Sequence, residues 1–392
     1  MPPTVLMALL PPESVNELEE VIPSAFTTLV TTGMDDTLTA IAAGHDLIAA
    51  VVGAVECAGP AAQVLSTLRS HAPSTFTIAL LAKRDLMARV RLRAFAAGAH
   101  MVSDGHVASV GAALGRTAAI LACTGSYACP VCGLANLSEY GLRAHFELAH
   151  AAEDTGRLPC PVCGAAGRTP LAVHLHNSHG PLELREPPFP AYPAFAWAVV
   201  RRRSDGRFLL VHEPAGIARG APRYWLPAGR VDAGETLCQA ARRECIEEAG
   251  VRVVPQAVLR LQVDCATPSP RVMRVALLCE PEDDNAALPK AIPDFESCGA
   301  VWVRPEEVLP PHLEAGDYRA PDPMDFFPAI ARGALHGTSV QTAEWAALEV
   351  AIMQRTTAKT AGQDGGFESD ADFDEAWAGV RSLYARHLRV GP

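Results

Sequence analysis

Over the first third of the chain, short runs of apolar and β-branched residues alternate with stretches whose apolar positions recur at helical spacing. The runs at 4–10, 27–31, 47–53, 76–82 and 100–103 read as buried strands. Between them and after the last, 15–21, 35–43, 61–70, 85–97 and 107–123 carry the 3.6-residue pattern of helices. Five β–α units in succession predict a doubly wound parallel sheet, because parallel strands need crossover helices. Later in the chain, 194–202 and 207–212 read as two strands around the turn signal Ser204-Asp205-Gly206, and 257–264, 273–280 and 300–303 as further strands. Residues 325–332 and 342–354 read as helices; a Gly/Asp-rich stretch at 357–373 precedes an amphipathic helix over 374–388.

The most specific pattern lies within the later strand-rich region, between the strands expected at 207–212 and 257–264. From Thr236 to Ala249 the chain has neither Pro nor Gly; Thr236 and Gln239 have capping-box spacing, and Gly250 stands where a helix would end. On that helix Glu244, Glu247 and Glu248 fall at i, i+3 and i+4 and share one face. Cys238, Ala241 and Cys245 form a neighbouring stripe fit for burial. Three carboxylates on one face repel one another unless a hard cation sits among them, and Mg²⁺ accepts such oxygen ligands while it also holds phosphates. A solvated acidic face is the plain alternative.

Composition narrows the class. The chain has 392 residues, 49% hydrophobic and 20% charged, with a formal net charge of −11, which describes a globular chain of two or three domains without general affinity for polyanions. Of its eleven cysteines, four sit in Cys-x-x-Cys pairs and seven are scattered, a distribution expected in a reducing compartment. The apolar start lacks the length and basic flank of a signal peptide, and no stretch is long enough for a membrane span. A cytoplasmic or nuclear location is therefore expected, with no membrane contact.

The cysteine pairs have histidines to match. Cys129 and Cys132 are followed by His145 and His150, and Cys160 and Cys163 by His174 and His179; Leu142 and Leu171 each stand three before the first histidine. Two thiolates and two imidazoles at this spacing make a closed tetrahedral zinc shell, structural and not catalytic. His176 competes with His174 in the second set. Residues 126–180 hold Arg143, Arg157 and Arg168 against Glu139, Glu147, Glu153 and Asp154, so a groove-docking role on double-stranded DNA is not expected. Protein contact or a structural clamp is the better reading, with RNA left open.

Resemblances sharpen these expectations. Gly229, Glu235, Arg243-Glu244, Cys245, Glu247-Glu248, Gly250 and Val251 match the Nudix box G-x5-E-x7-R-E-U-x-E-E-x-G-U at each of its nine fixed positions, with Cys245 where aliphatics are usual. The resemblance implies an α/β/α sandwich over 192–337 and metal-assisted attack of water on a nucleoside diphosphate linkage, releasing a nucleoside monophosphate. It casts Glu247 and Glu248 as the main Mg²⁺ or Mn²⁺ ligands, Glu244 as a further ligand or the general base, and the Ala228 carbonyl as another oxygen. Arg243 and Glu235 would pair to hold the loop against the helix. Outside the box, Glu296 is a candidate additional carboxylate, in competition with Asp283, Asp284 and Asp294. Tyr224 to Arg230, Glu296-Ser297, Trp302 and the Tyr318-Arg319-x-x-Asp322-Pro323 stretch resemble the mammalian Nudix type 18 subgroup. That implies oxidised guanine diphosphates as substrates, with Trp302, Phe326 and Phe327 as candidate walls for the base or, singly, as core aromatics.

Residues 1–124 resemble a receiver domain of flavodoxin-like order. Its chemistry is missing, since Val51-Val52-Gly53-Ala54 stands where the phosphoacceptor would end the third strand and Leu9-Leu10-Pro11-Pro12 where the first acids would be. Residues 125–180 resemble the tandem C2H2-type fingers of drought-induced-19-type proteins. A proline-rich linker over 181–191 and a helical, partly flexible tail over 338–392 complete the expected α/β multidomain order. A regulatory scaffold that binds a nucleotide or RNA and recruits partners through the fingers and pseudo-receiver is the alternative to an enzyme. The intact set of acids favours the enzyme.

Overall fold

The computed structural model describes residues 3–43, 46–53, 59–81, 87–153, 158–165, 169–181, 193–215, 223–264, 272–342, 345–346, 349–350 and 388–390. It divides into two compact units: one holds Met1–Arg185, His212–Arg223 and Lys290–Val301, the other Glu186–Val211, Tyr224–Pro289 and Trp302–Pro392. The proline-rich stretch at 182–191, the Gly/Asp-rich stretch at 357–373 and all but Leu388 of the helix expected at 374–388 lie outside the described residues; of the helix expected at 342–354, the residues 345–346 and 349–350 are described and helical.

In the first unit, strands β1 (Thr4–Ala8), β2 (Thr27–Thr31), β3 (Leu47–Gly53), β4 (Phe76–Leu80) and β5 (Met101–Ser103) alternate with helices α1 (Pro12–Val21), α2 (Met34–Ala42), α3 (Pro60–His71), α4 (Met87–Ala97) and α5 (Val107–Ala122). The strands pair in parallel in the order β2-β1-β3-β4-β5, a doubly wound order. Central β3 reads Leu-Ile-Ala-Ala-Val-Val-Gly because helices cover both its faces, leaving six of its seven residues buried. At its end Gly53 lies against the turn after β1, where an added Cβ would come within 2.3 Å of the Leu9 carbonyl oxygen. No side chain fits there.

The same unit continues through a short strand β6 (Thr124–Tyr127) and helices α6 (Glu139–Ala149) and α7 (Leu171–His179). Ser138 caps α6 by accepting from the Gly141 N–H at 3.0 Å. Leu137, Leu142 and Phe146 join Leu114, Ile120 and the sheet residues in one hydrophobic core.

The second unit is built on an antiparallel-rich sheet in the order β10-β7-β12-β11-β14, with β15 paired to β11. Its strands are β7 (Ala194–Val200), β10 (Ala228–Arg230), β11 (Val253–Asp264), β12 (Val272–Pro281), β14 (Thr338–Ser339) and β15 (Leu388–Val390). Leu388, expected to end a helix, begins β15. β8 (Phe208–His212), β9 (Tyr224–Trp225) and β13 (Ala300–Val303) form a three-stranded sheet. Helix α8 (Leu237–Ala249) packs on β7, and α9 (Asp322–Ala331) follows β13. The alanines Ala194, Ala196 and Ala198 of β7 and Ala240 and Ala241 of α8 are all buried, which lets helix and strand approach closely. No described helix is long and apolar enough to cross a membrane.

Candidate functional site

Helix α8 is specified locally. Thr236 accepts from the Gln239 N–H at 3.1 Å while the Gln239 side chain accepts from the Thr236 N–H at 2.8 Å, and Gly250 ends the helix at φ 70°. The loop before it is tied down by one guanidinium. Arg243 Nε and Nη2 donate to the two Glu235 oxygens at 3.0 and 2.9 Å, and Nη2 also donates to the Arg230 carbonyl at 2.7 Å. Burial opposes the Arg243 charge, but the Glu235 hydrogen bonds and the Glu244 field outweigh it and hold its pKa above the ordinary range.

Arg243 also reaches the acids of the α8 face, which the sequence did not foretell. Its Nη1 lies 2.7 Å from Glu244 Oε1 and 2.9 Å from Glu247 Oε2. Glu248 Oε2 accepts from the Ala228 N–H at 2.9 Å. Ala228 faces Trp197 of β7, while the flanking bond runs from Ala198 N–H to the Pro227 carbonyl; Ala228 therefore turns both its N–H and its carbonyl away from β7. Glu244 is 7% exposed and sits directly over Gly229, where an added Cβ would lie 1.9 Å from Oε1. The box glycine thus leaves room for the carboxylate. Gly229→Ala is expected to displace Glu244 and lower turnover at least tenfold, with little change in melting temperature; steady-state kinetics beside a thermal melt check this.

The three carboxylates are not a closed cage. Among the described residues, the donor sets that converge within 4.8 Å are the two Cys/His groups. An open acidic face beside an outward carbonyl still fits Mg²⁺, which takes one or two carboxylates and completes its shell with water and substrate phosphate. Cys245, the unusual member of the box, is fully buried; burial first, then Cys279 and the acids of α8, push its thiol well above the ordinary range. It serves as core.

The remaining candidates separate. Asp283 and Asp284 accept from the Asn285 and Ser204 N–H groups at 2.9 and 2.6 Å, so both are committed to turns. Asp294 accepts from Lys290 Nζ at 2.5 Å and from the Glu296 and Ser297 N–H groups at 2.9 and 3.1 Å. Glu296 is half-buried within the 290–301 segment of the first unit. Trp302, Phe326 and Phe327 are buried: Trp302 donates to the Ala287 carbonyl at 2.9 Å, Arg260 lies over Phe326 at 4.3 Å, and Phe327 stacks on Phe208 at 4.5 Å. All three are core aromatics and not walls of a base pocket. Phe195 and Trp197, which no motif in the sequence marks, stand half-buried on β7 opposite Arg230 and Ala228, with Trp225 edge-on to Trp197 at 5.7 Å.

In the first Cys/His set, Cys132 Sγ lies 3.2 Å from His145 Nε2, Cys129 Sγ 3.4 Å from His150 Nε2, and the two Nε2 atoms 3.2 Å apart. A tetrahedral zinc with bonds of about 2.3 Å to sulfur and about 2.0 Å to nitrogen puts its ligands about 3.3–3.8 Å from one another. The residues fit. In the second set Cys163 Sγ is 3.3 Å from His174 Nε2, and Cys160 Sγ 3.4 Å from His179 Nε2. His174 is the member of this set; His176 points elsewhere. The Ala165 N–H, then His179 and His174, draw the exposed Cys163 thiol down to about 6, toward the thiolate that binds metal. Outer carboxylates orient the imidazoles: Glu153 Oε2 lies 2.9 Å from His150 Nδ1, and Glu139 Oε1 2.9 Å from His179 Nδ1. Glu153 follows His150 by three residues, but Glu139 precedes His179 by forty, and no local spacing announces it.

Residues 193–322 match the NUDIX domain, and 125–180 match the zinc-binding domain of drought induced 19 protein. The human 8-oxo-dGDP phosphatase NUDT18 is 35% identical over 109 residues, 28% of this chain and 31% of that protein, so the match spans less than a third of the human relative. Phosphatase NudJ of Escherichia coli K12 is 32% identical over 118 residues, 30% of this chain and 71% of that protein. A solved NUDIX hydrolase from Nitrosomonas europaea aligns with 37% of this chain and 92% of its own, at 24% identity and a TM-score of 0.28. With the box complete on α8 and a relative covered over most of its length, the chain belongs to the Nudix hydrolase family.

Proposed function

We propose that the chain hydrolyses a nucleoside diphosphate substrate to a nucleoside monophosphate with Mg²⁺ or Mn²⁺, and that oxidised guanine nucleotides are among its substrates. The carrying observation is the acidic face of α8 seated on β10: Glu244 over Gly229, Glu248 on the Ala228 N–H, and Glu247 held by Arg243. Glu247 and Glu248, with Glu244 and the Ala228 carbonyl, would hold the divalent ion. Bound there, the ion supplies charge neutralisation on phosphate oxygens and a lower pKa for the attacking water. Water oxygen attacks phosphorus, the bridging P–O bond breaks so that nucleoside monophosphate and orthophosphate separate, and the water proton passes to a carboxylate, with Glu244 as the buried acid of the set. Arg243 and Glu235 hold the loop so that these acids keep their places.

The guanine substrate class is supported by the human relative's name, 8-oxo-dGDP phosphatase. With the three core aromatics withdrawn, Trp197 is the residue proposed to stack on the base. Trp197→Ala is expected to raise KM roughly tenfold with kcat within about threefold, as for lost uniform binding. Product analysis of the full chain with 8-oxo-dGDP and dGDP tests the substrate: a higher kcat/KM for the oxidised nucleotide is expected, and parity would remove this proposal.

Two structural zinc ions in C2H2-type fingers complete the reading, supported by the two convergent ligand sets. We also read the N-terminal sheet as a receiver-like domain without phosphotransfer. That reading is supported by the end of β3, where Val51, Val52 and Gly53 offer no carboxylate and an added Cβ at Gly53 would meet the Leu9 carbonyl oxygen at 2.3 Å. The second reading we carry is regulatory: the fingers and the N-terminal domain would meet a protein or RNA partner, in the cytoplasm or nucleus.

A further inference from the structure

We propose that the second zinc module is the support of the 290–299 loop, through His176 stacked on Phe295. The inference rests on the zinc reading of Cys160, Cys163, His174 and His179. That loop lies inside the stretch matching the NUDIX domain, and by packing it belongs to the first unit.

His176 is 7% exposed and takes no part in the ligand cluster. On α7 it is two positions from His174, so its ring leaves the helix on nearly the opposite side from the zinc-facing imidazole. Its ring lies 3.7 Å from that of Phe295 with the planes 10° apart, and its Nδ1 is 3.5 Å from Glu147 Oε1 of α6. One short helix therefore grips the zinc site with one face and Phe295 with another. Beside Phe295, the residues Phe146, Ala172 and Pro214 line a cavity of about 20 Å³. The segment after β8 is tied to the same unit separately, by the Ala215 N–H donating to the Ala151 carbonyl at 2.9 Å, just past α6.

The loop is a tight turn that transmits the grip. Asp294 accepts from the Glu296 and Ser297 N–H groups, and the Asp294 N–H donates to the Ser297 carbonyl at 3.0 Å. Fixing Phe295 therefore fixes Glu296, its neighbour in the turn. Helix α7 has nine residues, begins at Leu171 just after Pro170 and has no side-chain cap. A helix of that length is marginal in water alone. Its order comes from metal ligation and packing, so emptying the second zinc site releases α7, and with it the stack that holds the loop.

Hydrogen exchange of the full chain, read over 290–299 beside zinc content by elemental analysis, tests this. His176→Ala is expected to speed exchange of the Glu296 and Ser297 amides at least tenfold with zinc retained. His176→Phe, which keeps a stacking ring and cannot ligate metal, should restore protection. Cys160→Ser should lose one zinc and expose the same amides. A chain without zinc overturns this inference together with the zinc reading. A chain with two zinc ions whose loop is unmoved by His176→Ala or by Cys160→Ser overturns this inference alone.

Discussion

Glu248→Gln should lower metal-dependent turnover on the order of a hundredfold or more while the protein melts as before. Glu248 is anchored by the Ala228 N–H at 2.9 Å, and glutamine, the same size, can accept that bond through its own carbonyl oxygen. What it cannot supply is the charge that a divalent ion and a phosphate require beside β10. The loss therefore belongs to kcat more than to folding. Steady-state kinetics with Mg²⁺, run beside a thermal melt, separate the two. Turnover within about threefold of the parent would remove Glu248 from the metal-binding set. Glu235→Gln should behave otherwise, because it unpairs Arg243 from a bidentate contact and loosens the loop that ends at Thr236. Stability and rate should fall together.

The largest effect on stability is expected from Cys129→Ser. Cys129 is 2% exposed and belongs to the same hydrophobic core as Leu114, Ile120 and Phe146, so the first zinc site is part of the first unit's interior. Metal bound by a structural Cys2His2 set contributes on the order of 10 kcal/mol to the folded state. Much of that is lost with one thiolate, and the remaining thiol and imidazoles are left buried without their partner. Elemental analysis should fall by about one zinc, and the melting temperature should drop by more than in Cys163→Ser, whose thiol is exposed. Retention of both zinc ions, or an unchanged melt, would contradict the assignment of Cys129 as a ligand.

Features written in neighbouring residues were legible from the sequence. The capping box of Thr236 and Gln239, the terminal Gly250 and the shared face of Glu244, Glu247 and Glu248 are set by spacing within one helix, and the five parallel strands of the first unit by short apolar runs alternating with helical ones. Contacts between distant residues were not. Nothing local to Gly229 says that Glu244, fifteen residues on, needs its missing Cβ, or that Ala228 gives its N–H to Glu248. β9 and β10 hold two and three residues, too few for an alternation pattern to register. Trp302, Phe326 and Phe327 share the chemistry of a base-stacking wall, and only burial shows them to be core. His174 and His176 both suit zinc spacing; the convergence of His174 and His179 on Cys163 and Cys160 separates them.

Direct measurement of nucleotide hydrolysis by the purified full chain tests the central claim most plainly. The chain would be incubated with Mg²⁺, with Mn²⁺ and with chelator, against nucleoside diphosphates including 8-oxo-dGDP, nucleotide sugars, dinucleotides and capped RNA, with products separated by chromatography. Release of a nucleoside monophosphate that requires the divalent ion and is lost in Glu248→Gln is the expected result. Tight nucleotide binding without metal-dependent turnover on any of these substrates would contradict the enzymatic account and leave the regulatory scaffold in its place.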